Sequence, residues 1–289
     1  MNTCDEKSCE MKSSVVSDDR KVAEYFDSAA ATWHNMYTRK DIWGDIHQER
    51  LARFLALASN LPLPKGSEVL EVGCGAGHAA VALAERGHIV EATDVSQSMV
   101  DLTMNNAVAA GVADRIHATV GDIYKIDFRS GTFNLVLSIG VIPWLSSPGA
   151  AIEELARVLK PGGYLLFTAD NRSRLARLID PATSPLFSAI KELFKKIFSS
   201  SDHLAPEPTG IKSNQHSLKE VDDFLVHAGL ERLQCRTLGF GPFTYFYRKF
   251  LPDRLEVAVN RFLQRLVDLE VPLIRSTGAQ FVLLARKRP

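Results

Sequence analysis

The chain has 289 residues, 46% of them hydrophobic and 24% charged, an ordinary globular composition with enough apolar residues for one large α/β domain with additions. Its 34 basic and 34 acidic residues give a formal net charge of +0, so no global field draws it to nucleic acid or to an anionic membrane. The polar start Met1-Asn2-Thr3-Cys4-Asp5-Glu6-Lys7 lacks the apolar core of a signal peptide, and no apolar run reaches about 18 residues, so neither export nor stable membrane insertion is expected.

In chain order, residues 1–19 read as a disordered polar tail. A helical period then runs from Arg20 to Tyr37, with Val22, Tyr25, Phe26, Ala29, Ala30 and Trp33 at spacings of three and four. A second helix over 45–59 carries Ile46, Arg50, Phe54 and Leu57 along one side. Together these make a helical addition, 20–60, ahead of the first strand. Over 61–170 strands (67–72, 88–93, 115–120, 133–139, 163–168) alternate with helices (78–86, 97–110, 149–159). Lys160-Pro161-Gly162-Gly163 stops the last of these helices and turns the chain back into a strand.

Residues 171–215 form an insertion with short helices near 172–179 and 186–198, broken by Pro181, Pro185, Pro206 and Pro208. Lys191, Lys195 and Lys196 in it read as a solvated helix face. The remainder, 216–289, holds a helix over 217–228, a strand over 230–238 and a final strand from Gln280 to Arg286. Between those strands lies an insertion, 240–275, with an aromatic segment from Phe240 to Tyr247. It continues in an amphipathic helix over 253–270 whose predicted apolar face is Leu255, Val259, Phe262, Leu263, Leu266 and Val267. The seven strands predict a doubly wound, Rossmann-like α/β fold: a mostly parallel sheet with helices on both faces.

The chemistry centres on Glu68-Val69-Leu70-Glu71-Val72-Gly73-Cys74-Gly75-Ala76-Gly77-His78, a strand, a glycine loop and a helix start. In an open α/β sheet this layout offers a nucleotide-like ligand its backbone. The spacing is Glu71-x-Gly73-x-Gly75-x-Gly77, and His78 stands where the dinucleotide fingerprint G-x-G-x-x-G needs its last glycine. A pyrophosphate favours a bare helix N-terminus and is repelled by a carboxylate. Glu71 suits a ligand with a positive group instead. Cys74 reads as a small packing residue, and the four scattered cysteines (Cys4, Cys9, Cys74, Cys235) suit a reducing cytoplasm.

This loop resembles the first motif of the class I S-adenosylmethionine (SAM)-dependent methyltransferases, whose cofactor has no phosphate and carries an ammonium and a sulfonium. The nearest group within that family covers quinone-biosynthesis and magnesium-protoporphyrin methyltransferases, matching residues 22–170 well and the rest loosely. The resemblance implies a cofactor set of Glu71, Gly73, Gly75, Gly77, Asp94, Val95, Met99, Asp122, Ile123 and Ser138. Asp94, ending the second strand, would take the ribose hydroxyls. Asp122 would take the adenine amino group, Ile123 would pack on the ring, and Ser138 and Ile139 would offer carbonyls to the ammonium. The 20–60 helices would form a lid, with Tyr25, Trp33, Tyr37 and Trp144 as acceptor contacts. Many relatives carry paired histidines after strand four; here Pro143 and Trp144 stand near that place and suggest an apolar wall.

SAM is already activated, so the protein must chiefly align the acceptor with the S–CH3 bond and exclude water. A hydroxyl acceptor benefits from a base, and His47 and His216 are the candidates, with His78 at the loop. No metal is expected: Asp170-Asn171 makes no complete oxygen set, because Ser138-Ile139-Gly140 supplies no carboxylate after strand four. The expected activity is methyl transfer from SAM to a small, hydrophobic or aromatic acceptor, at oxygen, releasing S-adenosylhomocysteine, in a cytoplasmic monomer or homodimer. Alternatives are C- or N-methylation, or SAM or NAD binding without catalysis. A nucleic-acid substrate is disfavoured by the balanced charge and the lack of an N-P-P-Y or D-P-P-Y motif after strand four.

Overall fold

The structure, a computed structural model, describes residues 19–181, 183–184, 213–246 and 248–289. The polar tail, the helix expected over 186–198 with its lysines, and Cys4 and Cys9 lie outside these residues. The helices are α1 (19–28), α2 (Ala30–Met36), α3 (Ile42–Ser59), α4 (His78–Glu85), α5 (Gln97–Ala109), α6 (Pro148–Val158), α7 (Leu175–Ile179), α8 (Leu218–His227) and α9 (Asp253–Asp268). The strands are β1 (Glu68–Val72), β2 (Ile89–Asp94), β3 (Ile116–Val120), β4 (Phe133–Ser138), β5 (Leu159–Asn171), β6 (Gln215–His216), β7 (Leu230–Leu238), β8 (Thr244–Tyr245), β9 (Arg248–Lys249) and β10 (Gln280–Lys287).

The sheet order is β3-β2-β1-β4-β5-β10-β7, with the short β6 paired to the end of β5. The strands from β3 through β5 pair in parallel, whereas β10 runs antiparallel to both neighbours. Successive side chains alternate between two cores, as the two-residue period of a strand requires. Leu70, Val136, Leu165, Phe167 and Leu283 face α6 and α8, where Ile152, Leu155, Val221 and Leu225 meet them. Val69, Leu135, Leu137, Leu166 and Val282 face the other way, onto Phe54 of α3 and Ala80, Leu83 and Ala84 of α4. The sheet is therefore wound on both faces, as the sequence predicts.

Two elements differ from their sequence reading. The turn Lys160-Pro161-Gly162-Gly163 lies inside β5: Phe133 pairs with Leu159 and Leu135 with Tyr164, so the extra residues form a bulge. Helix α9, in turn, buries only part of the face its apolar residues mark: Val267 is buried and Val259 and Leu263 pack with it beside Phe240 and Phe243, but the rest turns outward. Glu256, Asn260 and Gln264 point inward, while Leu255 and Phe262 are exposed. The reason is the backbone that α9 covers. After β7 the chain runs irregularly, and its N–H groups need acceptors. Gly239 N–H donates to Gln264 (3.1 Å), Phe240 N–H to Asn260 (2.8 Å) and Phe243 N–H to Glu256 (2.7 Å). These acceptors recur every fourth residue, one per helical turn.

Helix α9 is also tied to α3. Arg53 on α3 makes a two-pronged pair with Asp268 (2.9 and 2.7 Å), and Arg261 reaches Asp45 (2.6 Å). The N-terminal helices are thus anchored by an element more than 200 positions later in the chain.

Candidate active site

The first four parallel strands and β5 end at one edge of the sheet, where ligands of open α/β sheets gather. There the chain encloses a cavity of about 310 Å³. Its floor is the glycine loop with the ends of β2 and β4, and its opposite wall comes from α1, α2 and α3.

The loop is held by backbone. Gly73 and Cys74 both donate to the Thr93 carbonyl (2.7 and 3.0 Å), clamping β1 to β2 at the turn. Gly73 has φ +73, and a Cβ there would lie 2.2 Å from Val141 Cγ2. Only glycine fits that approach. Gly77, at φ +73, is pressed against Thr103, where a Cβ would stand 2.7 Å away, and it opens α4. Gly75, between them, faces space: a Cβ placed there would have nothing within 4 Å, and the residue lines the cavity.

Two carboxylates lie beside the loop. Asp94 takes the Gly75 N–H (2.9 Å) on one oxygen and the Ser96 N–H (3.0 Å) on the other, joining loop and strand end. Burial raises its pKa, and these backbone donors pull it back. Glu71 is 2% exposed and its Oε2 has no hydrogen-bond partner among the described residues. Burial, opposed by a bond from the Ala80 N–H and aided by the nearby Asp94 charge, pushes its pKa up to about 8. Without a cation beside it, Glu71 is therefore mostly protonated at neutral pH.

The helical wall is aromatic. Phe26 lies 5.6 Å from both Trp33 and Trp144, and Tyr37 lies 4.2 Å from His78 and 5.7 Å from His47, ring centre to ring centre. His47 bonds through Nδ1 to the Trp43 carbonyl (2.7 Å); donating there leaves Nε2 as an acceptor. Burial first, then the adjacent Arg50 charge, lowers the His47 pKa to about 3. His47 is neutral throughout the physiological range and a weak base.

The cavity thus brings together Glu71, Gly73, Gly75, Asp94, Val95, Met99, Asp122 and Ile123, and opposite them Trp33, Tyr37, His47 and Trp144. Four predicted site residues do not line it. Gly77 lies behind the loop, and Ser138 is fully buried in β4. Tyr25 packs edge-on against Phe26, 5.2 Å away, outside the lining. His216 sits in β6 with its ring edge-on to Phe224 of α8, 5.7 Å away. That contact carries it onto the α8 side of the sheet, so no acceptor in this cavity would meet it.

Arg50 is the cavity residue that the functional reading of the sequence passed over. It is 6% exposed and, among the described residues, its Nε has no partner and its one side-chain bond is a long one to Gln280 (3.4 Å). A Cβ on Gly140 would stand 3.1 Å from its Nη1, so that glycine keeps room for the guanidinium. The signal was present: Arg50 falls within the apolar row Ile46, Phe54, Leu57, where a charge must have a purpose or a partner.

Residues 70–167 match the family model described as a methyltransferase domain. The ubiquinone biosynthesis O-methyltransferase of Coxiella burnetii is 29% identical over 161 residues, which are 56% of this chain and 66% of that protein. The malonyl-[acyl-carrier protein] O-methyltransferase of Serratia marcescens is 30% identical over 58% of this chain and 57% of its own length. The chain thus spans between 57% and 66% of the length of these curated relatives, less than two thirds of either. The fold also matches the magnesium protoporphyrin IX methyltransferase of Synechocystis PCC 6803 solved with bound S-adenosylhomocysteine, at a TM-score of 0.61 and 17% identity, over 93% of this chain and 99% of that one.

The match and the fold agree on the class: residues 70–167 form a methyltransferase domain, on a sheet with the fold of a class I SAM-dependent methyltransferase. SAM is the cofactor of that class, and the residues present fit it. A buried carboxylate with one oxygen unpartnered among the described residues, a buried guanidinium and an open glycine line one cavity, matching a ligand with an ammonium, a carboxylate and a flat nucleoside.

Proposed function

We propose that this chain methylates a hydroxyl of a bulky, hydrophobic or aromatic small molecule. The observation that carries this reading is the pairing of two unlike walls around one cavity. One wall is polar backbone and carboxylate; the other is Phe26, Trp33, Trp43 and Trp144. The first suits the cofactor and the second an apolar acceptor, and both named curated relatives are O-methyltransferases.

In this reading Asp94 holds the ribose hydroxyls, Gly75 leaves room for the nucleoside, and Asp122 and Ile123 receive the adenine. Glu71 takes the ammonium and Arg50 the carboxylate of the methionine portion. SAM supplies an activated methyl group; the chain's own residues hold the acceptor oxygen in line with it and keep water out. His47 would accept a hydrogen bond from the hydroxyl and orient it. With a pKa near 3 it would not remove the proton ahead of transfer. The proton would pass to solvent water as the methyl arrives, or beforehand from an acidic phenol.

A panel of acceptors tests this directly. Phenolic and enolic hydroxyls on large apolar frames should turn over, faster for the more acidic members, with S-adenosylhomocysteine formed in equal amount. Preference for small polar amines would overturn both the atom and the substrate class.

A further inference from the structure

Exposed large apolar residues are scattered singly over most of the surface, but six of them fall within 245–273: Tyr245, Phe250, Leu255, Phe262, Leu269 and Leu273. On α9 the exposed set recurs as Leu255, Phe262 and Leu269, seven residues apart, with the half-buried Leu266 beside them. The last three of the helix and its exit are 60%, 75% and 84% exposed at Phe262, Leu269 and Leu273. Seven residues is close to two helical turns, so these side chains form one stripe along a helix about 24 Å long. The inward polar row Glu256, Asn260 and Gln264 explains why the stripe faces solvent: α9 satisfies loop backbone with its polar side. Apolar residues on the far side are left without a protein partner among the described residues.

The charge beside this stripe has one sign. Arg254 and Arg265 lie along one flank, with Arg275 beyond the helix exit; all three are exposed and form no ion pair with a described residue. The neighbouring acids are each engaged: Asp253 by Lys249, Asp268 by Arg53 (2.7 Å) and Glu270 by Arg236 (3.3 Å). A helix that is strongly amphipathic yet low in mean hydropathy, with an apolar stripe flanked by arginines, is the pattern of a helix lying in a lipid interface. Long arginine stems also let the charge reach headgroups while the chain stays apolar.

We propose that the outer face of α9, with the hairpin β8–β9 before it, docks on the surface of an anionic lipid bilayer. The helix lies in the interface plane; it does not cross it, and no described helix is long and apolar enough to do so. The proposal stands apart from the acceptor reading, since it rests on surface residues that do not line the cavity. It gives the α9–α3 ion pairs a further consequence: a surface that holds α9 also steadies the helix carrying His47 and Arg50.

The test is flotation of the full chain with vesicles of phosphatidylcholine alone and of phosphatidylcholine with phosphatidylglycerol. Wild type should float with the anionic vesicles and stay behind with the neutral ones. Replacing Arg254, Arg265 and Arg275 together by Gln should weaken binding on the order of a hundredfold. Phe262→Glu with Leu269→Glu should abolish it. Because all five positions are exposed, each variant should keep wild-type S-adenosylhomocysteine binding, which shows that it folds. No flotation of wild type, or equal flotation of the variants, would overturn the proposal. So would a concentration-dependent dimer that Phe262→Glu breaks without any lipid effect, since a second copy would then own the face.

Discussion

Glu71 and Arg50 are an acid and a base set in one cavity, and neither has a full set of partners among the described residues. The pKa of about 8 at Glu71 means the carboxyl enters neutral at pH 7 and must ionise to meet an ammonium. Cofactor binding near pH 6.5 should therefore release close to one proton. Calorimetry of S-adenosylhomocysteine in buffers of different ionisation enthalpy measures this, and Glu71→Gln should bind more weakly and release none. Affinity should rise as pH climbs from 6 to 7, by up to about tenfold per unit for one proton released. Arg50 makes a separate prediction. Arg50→Ala should weaken S-adenosylhomocysteine roughly 10- to 100-fold by removing a charged bond. Methylthioadenosine, which lacks both the carboxylate and the ammonium, should bind it as it binds wild type. Equal loss for both ligands would show that Arg50 merely packs.

At the scale of elements, two acidic residues tie α1 over one side of the cavity, Asp19 by accepting from Ser146 Oγ (2.8 Å) and Asp27 at the start of α5. Asp27 accepts from Ser96 Oγ (2.8 Å) and from the Ser98 N–H (3.1 Å), so the lid residue helps cap α5, the helix that starts beside Asp94. Asp27→Ala should leave the fold intact, speed release of bound S-adenosylhomocysteine severalfold and raise protease cleavage around residues 19–36. Unchanged release would mean that Asp19 and the aromatic residues of α1 hold it without Asp27. The elements also show what a sequence can and cannot reveal. The alternation of β1 to β5 was readable because short aliphatic runs such as Leu135-Val136-Leu137 and Leu165-Leu166-Phe167 are fully buried and stand between turn residues and helical periods. The register of Lys160 to Gly163 was not, because a bulge and a turn use the same residues. The facing of α9 was read only in part for a deeper reason: periodicity tells which residues share a side, not whether the neighbour is apolar packing or loop backbone in need of acceptors. The same limit hid Arg50, whose place in an apolar row looked like an interruption until the cavity beneath it was visible.

For the whole molecule, the buried site residues oppose one another in their effect on stability. His47 has a folded pKa of about 3 against an ordinary 6.5, so the unfolded chain binds the extra proton and stability rises with pH between those values. Glu71 has a folded pKa of about 8 against 4.5, so the folded chain holds the extra proton and stability falls as pH rises between those values. The two cancel where they overlap, and above about 6.5 only the fall remains. The melting temperature of the apo protein relative to Glu71→Gln should therefore drop from pH 6.5 to 8. A flat difference would show that Glu71 is not the buried acid described here. Seven-stranded topology and the loop's glycines were legible at this scale from order and spacing alone, whereas the separation of His216 from the cavity depends on which face of the sheet each late element covers.

The central claim is that the glycine loop, Asp94 and Glu71 form a cradle for SAM. Calorimetric titration of S-adenosylhomocysteine and of NAD into wild type and Asp94→Ala tests it most directly. The account predicts micromolar binding of S-adenosylhomocysteine, none of NAD, and a loss of roughly 10- to 100-fold in the variant. Binding of NAD in place of S-adenosylhomocysteine, or equal binding by both proteins, would contradict it.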